Sequence, residues 1–184
     1  MVEQPSFHFS TIRAIIGLGN PGSRYALTRH SIGFLFVDAL VNSFGVSWHA
    51  QKEMEVAELI IESGQKLWVI KPQTFMNDSG RVIPFLTKKG IKPEEILVVH
   101  DELEKKFGHI QIRFGGSHRG HNGLKSISEQ IGFEFWRVRL GIDRPTSHEQ
   151  GDVGSYVLSS FSLEEQAILS AFIEKAVIFV KSNP

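Results

Sequence analysis

Several turns of this sequence carry side chains suited to proton transfer or to binding a peptide group. They are Asn20, His30, Met76-Asn77, His100-Asp101 and His121-Asn122, in segments that contain a glycine or end an apolar run. In open α/β sheets, sites form outside the carboxyl ends of the strands. Asn20 and Asp101 each follow an apolar run that reads as a strand, so we expect both to face one crevice.

Each of these residues also has a purely structural interpretation. A histidine before a helix is more often a cap or a surface residue, and Asp101 could cap a turn. Asn20, Asn77 and Asn122 are of a type that is common in turns. Arg113 and Arg139 lie on predicted strands and could face solvent. No single position decides between these interpretations.

One apparent motif would indicate a nucleotide-binding site instead. Gly17, Gly19 and Gly22 match the glycine spacing of a dinucleotide-binding turn after a strand. That motif opens directly into a helix, whereas here Pro21 and residues 23–30 come before any helical periodicity. The expected acidic residue about 20 positions further on, at the end of a second strand, is also missing. We therefore expect no nucleotide cofactor and interpret the glycines as turn residues.

Apolar periodicity indicates the elements that position these residues. Predicted strands cover residues 13–18, 54–62, 66–70, 96–100, 109–114 and 136–142. Predicted helices cover residues 31–44 and 122–131, and a final helix with a capping box runs from 162 to about 181. A further helix is predicted to follow the loop of residues 72–80 and to end at residue 89. Pro84 should end that helix, kink it or displace its start. Strands interleaved with helices predict a single-domain α/β fold with a mixed, largely parallel twisted sheet and helices on both faces.

Composition narrows the class of protein. The 184 residues contain no cysteine, which excludes disulfides, a thiolate nucleophile and cysteine-based zinc sites. We see no signal peptide and no apolar run long enough to cross a bilayer, so we expect a cytoplasmic protein with no membrane partner. The formal net charge is zero, yet residues 105–144 hold eight basic and three acidic residues. That local excess is either a solvated face or a phosphate-binding surface.

Taken together in chain order, these segments resemble the bacterial-type peptidyl-tRNA hydrolases. The matching segments are 17–22 (GLGNPG), Tyr25 with 28–30 (TRH), 71–80 (KPQTFMNDSG), 98–103 (VVHDEL), 115–116 (GG), 120–126 (GHNGLKS) and 137–142 (RVRLGI). The resemblance spans roughly residues 12–180. It indicates a catalytic domain over residues 12–184 with an N-terminal extension over residues 1–11.

The resemblance implies a metal-independent esterase that releases a peptide from tRNA during translation. His30 then corresponds to the general base that activates water, and Asp101 to the carboxylate that orients it. Asn20 corresponds to a residue that positions His30 or the water. General-base help is useful for an ester, which is already activated and needs no covalent nucleophile.

The resemblance also implies which residues contact the substrate. The peptidyl end corresponds to Tyr25, Met76, Asn77, His121 and Asn122, and the tRNA 5′ phosphate to Arg113 and Arg139. Asparagine amides both donate and accept, as a peptide group requires, and guanidinium groups donate to phosphate through a planar fork. We expect no cofactor, no metal ligands and a monomer. Residues 143–160 are a candidate gate over the crevice.

Four features depart from the family's usual pattern. Ser31 follows the histidine where asparagine is usual, and Phe75 stands where tyrosine is usual. Lys105-Lys106 replaces an apolar-proline stretch, and Gln111 takes a position that is often lysine. None of these departures removes a proposed catalytic group, but Gln111 weakens one expected phosphate contact.

Two other functions also fit parts of the sequence. His118, His121 and Asp101 could form the ligand set of a metal-dependent hydrolase, although a glycine-rich loop is an unpromising frame for it. The basic 105–144 span could instead belong to an RNA-binding module without catalytic activity.

Overall fold

A seven-stranded mixed sheet forms the centre of the computed structural model, which describes residues 5–145 and 152–183. Its strands are β1 (Ala14–Gly17), β2 (His49–Gln51), β3 (Met54–Ile60), β4 (Lys66–Pro72), β5 (Ile96–Glu102), β6 (Ile110–Phe114) and β7 (Trp136–Gly141). Their order across the sheet is β2-β3-β4-β1-β5-β7-β6. The central strands β4, β1, β5 and β7 are parallel, whereas the pairs β2–β3, β3–β4 and β6–β7 are antiparallel. The predicted mixed, largely parallel sheet is confirmed.

Helices cover both faces of this sheet, as the sequence predicts. α1 (Ile32–Ser43) and α5 (Leu163–Lys181) bury apolar side chains in a core that includes Ile15 and Val99. α2 (Ile83–Thr87) and α3 (Asn122–Ile131) pack against the opposite face, in a second core with Ile16 and Val98. Successive residues of a strand point to opposite faces, which explains this division. In the described residues, no helix has both the length and the apolar character needed to span a bilayer.

The structure differs from the sequence prediction in three short elements. Residues 76–82 form a 3-10 helix, and α2 begins only at Ile83, which places Pro84 in its first turn. Proline is tolerated there because the first N–H groups of a helix have no partner within the helix. Strand β2 is three residues long and exposed, so it lacks the apolar alternation that would reveal it. α4 (Val153–Val157), capped by Asp152, lies in a segment without clear periodicity.

Part of the predicted N-terminal extension packs against the domain. The ring of Phe7 lies edge-on to Trp136 at a centroid distance of 5.1 Å, and Phe9 is buried in the core beside α5. The Phe9 N–H donates to the Asn183 carbonyl at 2.7 Å. A domain boundary at residue 12 stays a prediction.

A close approach at Gly33 places the start of α1 over the carboxyl ends of β1 and β5. A Cβ at this position would lie 2.4 Å from the Val99 carbonyl oxygen and 2.5 Å from the backbone of Leu18. Real side chains do not tolerate such distances, so only glycine permits this packing. The 3-10 turn Arg29–Ser31 directly precedes this point. The turn therefore holds His30 at the edge of the sheet where β5 ends.

Candidate active site

His30 and Asp101 meet at this edge of the sheet, which agrees with the pairing that the resemblance implies. His30 Nδ1 lies 2.9 Å from Asp101 Oδ1, and the side chains are 11% and 2% exposed. A carboxylate only accepts hydrogen bonds, so the proton of this bond is on Nδ1 of His30. Nε2 of His30 is then the nitrogen with a free lone pair, as a proton acceptor needs.

A second imidazole binds the same carboxylate oxygen. His121 Nε2 also lies 2.9 Å from Asp101 Oδ1, and the rings of His30 and His121 are 4.9 Å apart. His121 immediately precedes α3, and its Nδ1 accepts a hydrogen bond of 3.4 Å from the Leu124 N–H. Asp101 thus receives two imidazole N–H groups, one from each side of the sheet edge.

The electrostatic environment favours the ionised form of Asp101 and makes His30 more basic. Burial opposes the charge on Asp101, but His30 and His121 outweigh it and hold the pKa of this carboxyl well below its usual range. Burial would also lower the pKa of His30, yet the charge and hydrogen bond of Asp101 prevail and raise it. A raised pKa makes His30 a better proton acceptor at pH values where it is still neutral.

A third histidine stiffens the end of β5. His100 is buried, and its Nδ1–H donates to the Asp101 carbonyl at 2.7 Å. Burial, followed by the neighbouring His121, lowers the pKa of His100 to about 3, so this ring stays neutral. It supports the backbone of Asp101 without adding charge to the site.

These groups line a cavity of about 390 Å³ at the carboxyl ends of β5 and β7. Six of the residues singled out from the sequence form part of its wall: His30, Asp101, Arg113, His121, Asn122 and Arg139. The rest of the wall comes from the glycine-rich loop of residues 115–120, from residues 102–104, from α4, and from His100, Leu124, Arg137 and Arg144. A concave polar site of this kind is where a ligand is expected to bind.

The other four predicted residues lie on two adjoining turns outside this wall. Asn20 Oδ1 accepts the Met76 N–H at 2.8 Å, and the Asn20 N–H donates to Ser31 Oγ at 3.2 Å. Asn20 therefore ties the 3-10 helix of residues 76–82 to the residue that follows His30. Tyr25 touches the exposed ring of Phe75 edge-on, and Asn77 is exposed.

Met76 is buried in the second core and is not among the residues that line the cavity. Its side chain is 4% exposed and belongs to the second core. Its sulfur lies so close to α3 that a Cβ on Gly123 would come within 2.5 Å of it. In this structure Met76 fixes the distance between the 3-10 helix and α3, and a substrate contact by its side chain stays a prediction.

Arg113, Arg137 and Arg139 form what we call the far wall of the cavity, and they differ in their hydrogen-bond partners. Arg139 is buried and bonds through Nε and Nη2 to Glu102 Oε2, both at 2.7 Å, and through Nη1 to Gln111. Arg113 is exposed and pairs in register with Arg137 of β7. Like charges opposite each other destabilise a sheet, so this arrangement favours an anion between or beside them.

Arg137 is a site residue that the sequence reasoning missed. Its guanidinium donates to the carbonyls of Gly116 and Ser117 and so fixes the glycine-rich loop. Burial, followed by Arg113 and Arg139, lowers the pKa of Arg137 to about 10. The two-residue spacing of Arg137 and Arg139 on a strand was the available signal, because it puts both side chains on one face.

The histidine cluster also bears on the metal-dependent alternative. Within the described residues, the group that could hold a cation is His30, Asp101 and His121, rather than a set with His118. His118 Nδ1 instead accepts the Gly120 N–H of its own loop at 3.1 Å. Both imidazole nitrogens lie 2.9 Å from the same oxygen of Asp101, which is the ordinary distance of an N–H···O hydrogen bond. The arrangement is that of a hydrogen-bonded triad.

Comparison with known proteins gives a consistent result. The profile of the family described as peptidyl-tRNA hydrolase matches residues 14–183. The peptidyl-tRNA hydrolase of Syntrophotalea carbinolica is 43% identical over 168 residues, which cover 90% of this chain and 87% of that protein. That of Neisseria meningitidis serogroup C is 42% identical over 172 residues, 91% of this chain and 88% of that protein. The crystal structure of the Acinetobacter baumannii peptidyl-tRNA hydrolase shows 40% identity and a TM-score of 0.87, covering 97% of this chain and 91% of that one.

Proposed function

Because this chain belongs to the peptidyl-tRNA hydrolase family, we propose that it cleaves the ester between a peptide and the ribose of tRNA with His30 as general base. The observation that carries the mechanism is the buried His30–Asp101 hydrogen bond of 2.9 Å on the wall of the cavity. The RNA-binding module without catalysis is not favoured, because it gives no reason for a base and a carboxylate to meet in a cavity.

The reaction proceeds by direct attack of water on the ester carbonyl. Nε2 of His30 accepts a proton from the water as its oxygen bonds to the carbonyl carbon, and the imidazolium pairs with the Asp101 carboxylate. The tetrahedral intermediate then collapses, the bond to the ribose oxygen breaks, and the imidazolium returns its proton to that oxygen. The products are free tRNA for reuse and a peptide with a free carboxyl group.

Asparagine amides supply the grip on the peptide. Asn122 begins α3 beside His121 and is exposed on the cavity wall, so its amide can reach a group held next to His30. Asn77 is exposed on the 3-10 helix that Asn20 ties to the His30 turn. A single well-placed donor to the developing oxyanion contributes about 10²–10³-fold to the rate. Tyr25 lies beside these turns and completes the proposed peptide contacts.

The arginine wall supplies the contact with the tRNA 5′ phosphate. Arg113 is exposed and, in the described residues, no hydrogen bond of its side chain is seen, so it can donate directly to phosphate oxygens. Arg139 is already paired with Glu102 and Gln111 and can share or exchange those bonds when an anion binds. We therefore assign the larger part of the phosphate contact to Arg113.

Loss of these arginines should weaken binding and make it less sensitive to salt. Removal of one phosphate contact is expected to reduce the slope of log affinity against log salt by about 0.7–0.9. We expect Arg113→Ala to show this change in a titration of tRNA at several salt concentrations, and Arg113→Ala with Arg139→Ala to show more. Lys66→Ala, at the opposite end of the sheet, is the matched control and should leave the slope unchanged. A double variant with the wild-type slope contradicts the assignment.

Release of peptide from purified peptidyl-tRNA in the presence of a chelator tests the proposed activity. A base made of imidazole and carboxylate needs no metal, so the rate should survive exhaustive chelation. Loss of the rate with recovery on addition of zinc would instead support the metal-dependent alternative. We further propose that the protein acts in the cytoplasm, because its substrate arises during translation, and that it is a monomer, as the family resemblance implies.

A further inference from the structure

The role of His121 goes beyond the substrate contact expected from its position in the sequence. Its ring lies between His30 and His100, with centroid distances of 4.9 and 5.1 Å. Its Nε2 binds the carboxylate oxygen that also binds His30. We propose that His121 is a positioning residue. By donating to the same oxygen, it weakens the interaction through which Asp101 stabilises the protonated form of His30. This inference rests on the proposed function of the site.

The hydrogen bonds of His121 fix which of its nitrogens carries the proton. Nδ1 accepts from the Leu124 N–H at the start of α3, so Nδ1 is unprotonated. The neutral ring then carries its proton on Nε2, which faces Asp101. The helix start thus selects the tautomer that can donate to the carboxylate, much as a second hydrogen bond fixes the active nitrogen of other functional histidines.

The packing around His121 leaves little freedom to break this contact. The next residues, Asn122 and Gly123, begin α3, and Gly123 lies tightly against Met76 and Leu18. A Cβ on Gly123 would also come within 3.3 Å of the His121 ring. These contacts hold the donor beside Asp101.

Sharing one oxygen between two donors has a predictable effect on the base. A carboxylate with a single partner stabilises the His30 imidazolium more strongly, so the ring stays protonated up to a higher pH. A second donor satisfies part of the charge of Asp101, so the imidazolium gains less. His30 consequently becomes neutral at lower pH and can work over a wider range.

Other charged groups face the same cavity and must stay constant in a test. Within the described residues they are the ion pairs Glu102–Arg139 and Glu104–Arg144 with Arg113, Arg119 and Arg137, and the titratable ring of His118 also lines the wall. Arg29, next to His30 in sequence, turns away to Glu165 and Ser159. His100 stays neutral, and the α4 residues on the cavity wall carry no charge.

Substitutions of His121 can separate its donor from its other contacts. In His121→Gln the amide nitrogen reaches about as far as Nε2, so the donor to Asp101 is kept. In His121→Asn the shorter side chain can still cap α3 but cannot reach Asp101. His121→Phe fills the same space without any donor and serves as a second test should the asparagine variant fold poorly.

The readout is the titration of the His30 imidazole, followed by NMR on histidine-labelled protein without substrate. The His30 signal is assigned by its absence in His30→Ala. We expect the titration midpoint to rise by about one pH unit in His121→Asn and in His121→Phe, and to stay near wild type in His121→Gln. The acidic limb of the kcat/KM profile should move by the same amount.

An unchanged His30 midpoint in both His121→Asn and His121→Phe would overturn the inference. An equal shift in all three variants would also overturn it, because the shift would then not depend on a donor. The titration needs no turnover, so it remains informative even if wild-type protein releases no peptide. That last result would count against the proposed function alone.

Discussion

Replacement of His30 by alanine is expected to slow peptide release by about 10²–10⁴-fold while tRNA binding is retained. The side chain contributes the proton acceptor, but the arginines of the far cavity wall are unaffected by its loss. The measurement is release of peptide from purified peptidyl-tRNA under single-turnover conditions, with affinity for free tRNA determined in parallel.

A histidine outside the site provides the control for this experiment. His49 is exposed on the edge strand β2, so His49→Ala should release peptide at the wild-type rate. A His30→Ala protein that folds normally and keeps the wild-type rate would exclude His30 as the base. A loss of tRNA binding equal to the loss of rate would mean that His30 binds substrate rather than activating water.

Asp101→Asn is expected to slow peptide release in the same range, about 10²–10⁴-fold, but for a different reason. The neutral amide cannot stabilise the imidazolium. In the wild type two imidazole N–H groups donate to Asp101 Oδ1, whereas the NH₂ group of the asparagine is itself a donor and cannot accept either of them. Without the carboxylate, burial is left as the main influence on His30 and lowers its pKa. The acidic limb of the residual activity should therefore move to lower pH.

The pH profile of single-turnover release by Asp101→Asn checks both parts of this expectation. Glu62→Gln, in the turn between β3 and β4, removes one carboxylate far from the cavity and should leave rate and profile unchanged. A residual activity whose acidic limb moves to higher pH would show that Asp101 does not support the protonated form of His30.

Topology predicted that Asn20 and Asp101 lie at one edge of the sheet, and the pairing of His30 with Asp101 was implied by the family resemblance. β1 and β5 are adjacent and parallel, so residues after their carboxyl ends meet at one edge. The apolar runs and flanking turn residues were sufficient to place both strands. The resemblance then indicated which of the polar residues near this edge belong together.

Contacts that depend on side-chain conformation and strand register could not be predicted. The Glu102–Arg139 pair requires that β7 lies beside β5 with His100 opposite Arg139, a register that no local pattern reveals. The bond from His121 to Asp101 likewise depends on where α3 begins relative to β5. Both contacts join residues that are distant in sequence, and each binds a side chain that is proposed to act in the site.

Short elements escaped the sequence analysis for a related reason. Three-residue β2 and five-residue α4 are too short to show a period, and they are held by neighbours rather than by their own pattern. The 3-10 helix of residues 76–82 is fixed by Asn20 and by packing on α3. This segment carries Asn77, so the placement of one predicted substrate contact depends on tertiary structure.

The most direct test of the His30 mechanism is the single-turnover rate of peptide release by wild type and His30→Ala, measured from mildly acidic to mildly alkaline pH. Only neutral imidazole accepts a proton, and the pKa of His30 is raised. The wild-type rate should therefore rise with pH through one titration with a midpoint above the ordinary histidine value, and His30→Ala should lack that step. A wild-type rate that is flat over this range, or a His30→Ala profile with the same step, would contradict the mechanism.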